Sequence, residues 1–235
     1  MTSRYPLSFV IVSLLVGAVC LRLAIWQVER LHARRSRNAT TLEQRALPAT
    51  DIRDVGEAAE ARRVFATGRF DFAHEVVLRG RALDGVPGVE VVTPLRMNGT
   101  DTAVLVMRGY VPSADAITYE EVAHREPDSL RVVGFAMPVP SDSAGASPAL
   151  RKGAETWRRL DLASVRARLP YPLEAVYIVA DSPVTVSPAP RRLPAPALDD
   201  GPHLDYAIQW FAFASIAFGG AGALLWHRRR ESAEG

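Results

Sequence analysis

The stretch that decides the fold is residues 7–26, which read LSFVIVSLLVGAVCLRLAIW. A second stretch, residues 207–226, reads AIQWFAFASIAFGGAGALLW. As a helix with a rise of about 1.5 Å per residue, each is long enough to cross the roughly 30 Å hydrocarbon core of a bilayer. Arg22 lies near the end of the first stretch, from where a long arginine side chain reaches the headgroups. The pattern predicts two transmembrane helices that enclose a water-soluble domain.

The charges beside the second stretch predict an orientation. Three aspartates precede or begin it and three consecutive arginines, residues 228–230, follow it. The positive-inside rule therefore places the C-terminus in the cytoplasm. The arginines after the first stretch oppose this orientation, but they lead into a long segment, where charge has less weight.

These features define the expected domains and location. We expect a bacterial plasma membrane protein, because no transit peptide precedes the first stretch. Its main domain is expected outside the cytoplasm. The predicted parts are a cytoplasmic N-terminus (1–6), transmembrane helix 1 (7–26), an extracytoplasmic β-rich domain with linkers (27–201), transmembrane helix 2 (202–226) and a cytoplasmic tail (227–235).

Composition excludes several function classes. The formal net charge of +2 does not indicate a nucleic-acid partner. Cys20 is the sole cysteine, so the chain has neither an internal disulfide nor a cysteine metal cluster. The sequence contains no phosphate-binding glycine loop, nucleophile elbow or His-Glu-x-x-His motif. We therefore expect a protein that is not an enzyme.

The sequence pattern in the middle of the chain is typical of a β domain. Residues 30–47 are predicted to continue as a helix that ends before Pro48. The pair Asn98-Gly99 predicts a hairpin between residues 89–97 and 102–111. Further strands are predicted at 64–67, 75–78, 130–137, 156–160 and 175–180, a loop at 138–152, a helix at 162–169 with Asp161 as its N-cap, and an extended linker at 182–200. We expect a mostly antiparallel barrel or sandwich with one short helix.

Of the five histidines, His203 has the most informative position. It follows Pro202, which is favoured at the first position of a helix, so it begins the second transmembrane helix. The helix dipole there keeps the imidazole neutral, and a neutral imidazole can bind a metal. Tyr206 and Trp210 follow on the same helical face. The alternative is an aromatic interfacial anchor. The histidines at 32, 74 and 124 are interpreted as surface residues and the one at 227 as interfacial.

Four stretches together resemble the Surfeit-locus family of cytochrome c oxidase assembly factors. The first is WQVER, residues 26–30, with Arg34 where the family usually has lysine. The second is Gly68-Arg69-Phe70. The third is GVPGVEVVTPL, residues 85–95, followed by VLVMRGYVP, residues 104–112, in which Met107 and Tyr110 depart from the family's asparagine and tryptophan. The fourth is HLDYAIQWF, residues 203–211.

The resemblance implies a non-enzymatic role in helping haem a to reach subunit I of the oxidase, with haem a synthase as a second candidate partner and lipid around both helices. It implies that His203 is a haem a ligand, with Tyr206 and Trp210 against the ring. The remaining motif residues are candidates for partner contacts or structural roles: Trp26, Gln27, Arg30, Gly68, Arg108, Gly109 and Tyr110. For Arg108 the alternatives are an ion pair within the domain and a contact to a partner or a haem propionate. The rival function is a membrane-anchored scaffold of the cell envelope without a ligand.

Overall fold

The computed structural model describes residues 7–55, 61–141, 148–183, 189–195 and 197–233. The predicted N-terminal segment 1–6, the last two residues of the tail and parts of the predicted loop and linker lie outside these ranges. The chain forms two units, one of residues 1–40 with 198–235 and one of residues 41–197. In chain order the elements are α1 (Leu7–Ala46), β1 (Thr50–Asp51), β2 (Arg63–Phe70), β3 (Val76–Leu83), β4 (Val86–Met97), β5 (Ala103–Pro112), β6 (Ser129–Pro138), β7 (Ala149–Arg151), β8 (Ala154–Thr156), α2 (Leu162–Arg166), β9 (Leu173–Ser182) and α3 (His203–Ala233).

The two long helices are long and apolar enough to cross a membrane, as the sequence predicts. α1 continues without interruption through the predicted Arg-rich helix and ends before Pro48. Large apolar side chains remain exposed on both helices, for example Leu15 at 62% and Ile216 at 71%. A face of this kind is stable in hydrocarbon and costly in water.

The second unit is built on a closed sheet. Its strands follow the order β1-β2-β6-β9-β5-β4-β3, and β2 also pairs with β4. That extra pairing joins Gly68 to Met97 and Phe70 to Leu95, which closes β2, β6, β9, β5 and β4 into a barrel. Closure requires the glycine, because a Cβ on Gly68 would lie 2.1 Å from the carbonyl oxygen of Arg96. Of the two predicted architectures, the barrel is therefore the one observed.

Strand β5 lies at the centre of the hydrophobic core. Val104 and Val106 belong to one buried cluster, whereas Leu105 and Met107 belong to a second. The second cluster includes the fully buried Trp157, which hydrogen-bonds to β3. Alternate side chains of a strand point to opposite faces, so both faces of β5 are covered.

The barrel unit differs from the prediction in three places. β5 and β9 pair in parallel, so the sheet is mixed, although most of its pairings are antiparallel. The strand predicted at 156–160 is wrong, because the strand here is Ala154–Thr156, which pairs with Ala149–Arg151 inside the predicted loop. α2 ends at Arg166, earlier than predicted, while Asp161 caps it by accepting a hydrogen bond from the Ser164 amide at 2.9 Å.

Candidate functional site

Two of the sequence motifs meet at a hydrogen bond between the long helices. The Nδ1 atom of His203, at the start of α3, lies 2.9 Å from the Oε1 atom of Gln27 in α1. An amide oxygen only accepts hydrogen bonds, so in this contact Nδ1 is the donor. In the tautomer with the proton on Nδ1, the other ring nitrogen, Nε2, is the one that can bind a metal.

This hydrogen bond belongs to a packed seam between the helices. Buried residues of α1 recur at intervals of seven, at Val10, Gly17, Ala24 and Leu31, as do Ala207, Ala214 and Ala221 of α3. Such a repeat is typical of helices that pack as a left-handed pair. A Cβ on Gly17 would lie 2.7 Å from the Phe218 ring. The pairs 17 with 218 and 27 with 203 show that the helices run antiparallel.

The predicted site residues of α3 do not share one environment. His203 and Trp210 are half-buried and lie one heptad apart, whereas Tyr206 is 48% exposed. Trp210 makes an edge contact with Phe213, with ring centroids 5.8 Å apart. The structure thus groups Trp210 with His203 along the seam and leaves Tyr206 outward.

A charged cluster closes the end of the seam beside His203. The Arg34 Nη2 atom lies 2.7 Å from Asp199 Oδ1, and the Arg35 Nε atom lies 2.8 Å from Asp200 Oδ2. Asn38 also donates to the Asp199 carbonyl at 2.8 Å. Our reading of the sequence missed these pairs. The signal was present, since two adjacent arginines follow the first span and two adjacent aspartates precede the second.

Gly201 lies beside the accessible edge of the imidazole. Its φ of +67° favours glycine. A Cβ there would lie 3.4 Å from Cδ2 and 3.7 Å from Nε2 of His203, and 3.7 Å from Nε of Arg34. These are ordinary van der Waals distances, so a Cβ would contact this edge of the imidazole without a clash, and the backbone conformation is what favours glycine.

This donor set fits a haem better than a bare metal ion. Among the residues that the structure describes, no group of three histidine, cysteine, aspartate or glutamate side chains is placed to hold a metal ion. A haem iron already has four ring nitrogens and needs only an axial imidazole from the protein. His203 would supply such a nitrogen, and apolar helix faces of the kind beside it suit a flat apolar ring.

Arg108 lies in a buried ion cluster of the barrel unit. Its side chain is fully buried and its Nη1 and Nε atoms lie 2.6 Å from Glu75 and 2.8 Å from Glu126. Its Nη2 atom donates to the His124 carbonyl. Burial by itself lowers the pKa of Arg108, but the two carboxylates outweigh burial and raise it. All three guanidinium nitrogens of Arg108 therefore donate within the domain, as in the ion-pair interpretation. Because they are buried and bonded there, they are not exposed to a haem propionate or a partner.

The residues after Arg108 bind the segment that follows β9. Tyr110 and Arg191 exchange two backbone hydrogen bonds of 2.8 Å. Gly109 has a φ of +141°, and a Cβ there would lie 2.2 Å from the Arg191 carbonyl oxygen. Arg192 also pairs with Glu126. The Arg-Gly-Tyr motif therefore docks the segment that follows the last strand.

The other motif residues and histidines have simpler surroundings. Trp26 is 42% exposed and lies beneath the Arg30 guanidinium, 5.7 Å from ring centre to Cζ. His74 is half-buried, and its Nδ1 atom lies 2.8 Å from Asp71. His124 is also half-buried, and its ring stacks on Tyr119 with centroids 5.6 Å apart.

Comparison with known proteins agrees with these motifs. The model of the SURF1 family matches residues 14–215. An uncharacterised SURF1-like protein of Mycobacterium bovis is 30% identical over 74% of this chain. The match spans 65% of that relative's length.

Two further relatives match over more of their length. A SURF1-like protein of Rickettsia felis is 26% identical over 87% of this chain and 91% of its own length. One of Monosiga brevicollis is 28% identical over 86% of this chain and 81% of its own. Because the family match runs from the first long helix across the barrel into the second helix, the chain belongs to the SURF1 family.

Proposed function

We propose that this protein is a membrane-bound assembly factor for cytochrome c oxidase that binds haem a at His203 and assists its insertion into subunit I. Family membership supports the assembly role. The observation that carries the haem proposal is the Gln27–His203 hydrogen bond, since it engages Nδ1 and leaves Nε2 as the ring nitrogen for a ligand. If bound, haem a would be held by His203 and would supply an iron that an imidazole nitrogen can ligate.

The residues around His203 have distinct tasks in this proposal. Gln27 holds the imidazole in the ligating tautomer. Trp210 offers an aromatic surface one heptad from the ligand, and the exposed Tyr206 lies at the outer edge. A single histidine holds the ring more weakly than two ligands, which suits a protein that must release its cargo.

The proposal includes partners and a location. Subunit I of the oxidase receives the haem, and haem a synthase is a candidate donor. Two membrane-capable helices support attachment to a membrane. The proposed membrane is the bacterial plasma membrane, with the barrel outside the cytoplasm, because arginines follow the second helix.

The second candidate function is a ligand-free scaffold of the cell envelope. One observation favours it: the same hydrogen bond joins α1 to α3, so it serves equally to fix the helix pair. His203 would then be an interfacial anchor.

Replacing His203 with alanine distinguishes the two functions. We expect His203→Ala to remove most of the Soret absorbance of protein co-expressed with the haem a synthesis enzymes, and to lower oxidase activity, because the axial ligand is lost. Protein recovered from the membrane is expected at the wild-type level. The measurements are the visible spectrum per mole of protein, a blot of the membrane fraction and oxygen consumption.

His32→Ala is the matched control, since His32 is exposed on α1. His124 is unsuitable, because its ring stacks on Tyr119. If His203→Ala protein accumulates normally with full haem and oxidase activity, the ligand role is wrong.

A further inference from the structure

The barrel unit carries an arginine-rich groove that the proposed function does not use. The groove has a volume of about 560 Å³. Five arginines line it, together with Gly80, Asp115, Ala116 and Ile117. The arginines are Arg79, Arg81, Arg151, Arg158 and Arg159.

The charge of this groove is largely uncompensated. Arg81 pairs with Glu90 at 3.0 Å. Across the described parts of the chain, no acidic side chain forms an ion pair with the other four arginines. Burial and the charges of Arg151 and Arg158 lower the pKa of Arg79. Like charges held this close repel each other, so a bound anion would stabilise the unit.

The one acid in the groove is already occupied. Asp115 lies 2.9 Å from the Lys152 ammonium and accepts hydrogen bonds from the amides of Ile117 and Thr118. Its carboxylate therefore offers little compensation to the arginines around it.

The backbone and its neighbours pre-position two of the arginines. β3 contains a bulge between Leu78 and Arg81, where Gly80 has a φ of +70°. Bulges commonly redirect side chains. The Arg79 Nη1 atom donates to the carbonyl and hydroxyl oxygens of Thr156 at 2.7 and 3.2 Å. Its Nε and Nη2 atoms have no hydrogen-bond acceptor among the described residues, so they are available to a ligand.

We propose that this groove binds a phosphate-bearing anion, independently of His203. Guanidinium groups present paired donors that match the oxygens of a phosphate. Several uncompensated charges around one groove suit a compact ligand with two or more negative charges. The shared chemistry is the phosphate group, and its source is either a soluble phosphate or the headgroup of an anionic phospholipid.

An acidic peptide fits the groove less well. One way for a peptide to bind beside a sheet is to add a strand to a free edge. Here the backbone of β3 is already paired, because the Arg79 amide donates to Trp157 O at 2.9 Å and the Gly80 amide to Ala116 O at 2.8 Å. The apolar side chains that line the groove, among the described residues, are those of Ala116 and Ile117, so the groove offers a peptide little apolar surface.

Calorimetric titration of the full chain in non-ionic detergent tests the proposal. One arm uses inorganic pyrophosphate, and the other uses a short-chain phosphatidylglycerol below its micelle concentration. We expect saturable binding of at least one probe with one site per chain. Binding of pyrophosphate alone identifies a soluble phosphate, whereas binding of the lipid identifies a headgroup.

The matched variants locate the site. Arg151→Gln with Arg159→Gln is expected to weaken binding about tenfold or more, because two charge-assisted contacts are lost. Arg69→Gln with Arg131→Gln removes the same charge outside the groove and is expected to bind as the wild type does. Circular dichroism of each variant checks folding, and the conservative Arg151→Lys with Arg159→Lys variant is expected to retain part of the affinity.

Three results overturn the proposal. They are no saturable binding of either probe, equal affinity in the groove variant and the control variant, and, in a third titration with a glutamate-rich peptide, saturable binding of that peptide alone, which would identify a peptide site.

Discussion

Gln27 and His203 lie 176 residues apart in the chain and meet through one side-chain hydrogen bond. Each belongs to a recognisable motif near a predicted span, yet neither motif indicates the other residue. The contact depends on the register of two helices, which a seven-residue repeat of small buried side chains sets. The sequence therefore identified His203 as the candidate ligand, whereas the contact of Gln27 with it is seen only in the structure.

Removal of the Gln27 acceptor should weaken haem binding without removing the ligand. We expect Gln27→Leu to lower haem affinity by about 10- to 100-fold, as is typical when a residue that orients a metal-binding histidine is lost. Gln27→Glu retains an acceptor and should restore most of the affinity. Soret titrations of the purified protein measure both.

The control for this comparison is Gln209→Leu, because Gln209 is exposed on α3. Equal haem affinity in the Gln27→Leu and Gln209→Leu proteins would show that Gln27 does not position the ligand.

The buried Arg108 cluster makes a different prediction, on stability. Arg108→Met leaves the Glu75 and Glu126 carboxylates buried without this cation. Breaking a buried pair in this way costs about 3–5 kcal/mol. The exposed pair of Arg69 with Asp128 should contribute only about 0–1 kcal/mol, so Arg69→Met is the control. Pulse proteolysis in urea measures both changes, and equal midpoints for the two variants would contradict the structural role of the cluster.

At the scale of elements, the pairing of strands that are close in sequence was predicted, whereas the pairing of distant strands was not. The hairpin of β4 and β5 was predicted well, because Asn98-Gly99 is a local signal and Gly99 does adopt a φ of +80°. The parallel pairing of β5 with β9 was not predicted. It joins strands about seventy residues apart, and alternating apolar residues do not specify which distant strand becomes the neighbour.

The loop that carries Asp115 should make stability depend on pH. The Thr118 amide and Lys152, with the Ile117 amide and the Ser113 hydroxyl, hold the pKa of Asp115 far below its usual range. A carboxyl whose folded pKa is depressed contributes stability above its unfolded pKa, which is about 3.9. That contribution is lost as the pH falls below this value. We therefore expect the thermal midpoint to fall between pH 6 and pH 3.

Comparison with Asp115→Asn isolates this effect. We expect that variant to be less stable than the wild type at pH 6 and to lose less stability on acidification. Asp101→Asn, at an exposed turn position, should follow the wild-type curve. Parallel curves for the wild type and Asp115→Asn would refute the prediction.

At the scale of the whole molecule, the sequence correctly predicted two membrane-capable helices around a β domain. Length and composition alone identify the apolar stretches, so the presence of two long apolar helices around a domain was the most predictable feature. Closure of the sheet into a barrel was less predictable, because it depends on Gly68 opposite Met97 rather than on any local pattern.

Orientation in the membrane is testable with reporters. An alkaline phosphatase fused after Gly235 should be inactive and a fluorescent protein there should fluoresce, because the arginines at 228–230 retain that end in the cytoplasm. A phosphatase fused to a chain ending at Asp200 should be active and serves as the positive control. Phosphatase activity at Gly235 would reverse the assignment.

The position of β9 has a consequence for biosynthesis. Of the strands in the described ranges, β9 is the last to be made, yet it lies between β5 and β6. A nascent chain that has not reached residue 182 therefore has two unsealed strand edges, which readily pair with other chains. The ribosome must complete nearly the whole barrel sequence before the barrel can close. A premature stop before β9 yields an aggregation-prone fragment, whereas a stop after it removes only the linker and the second helix.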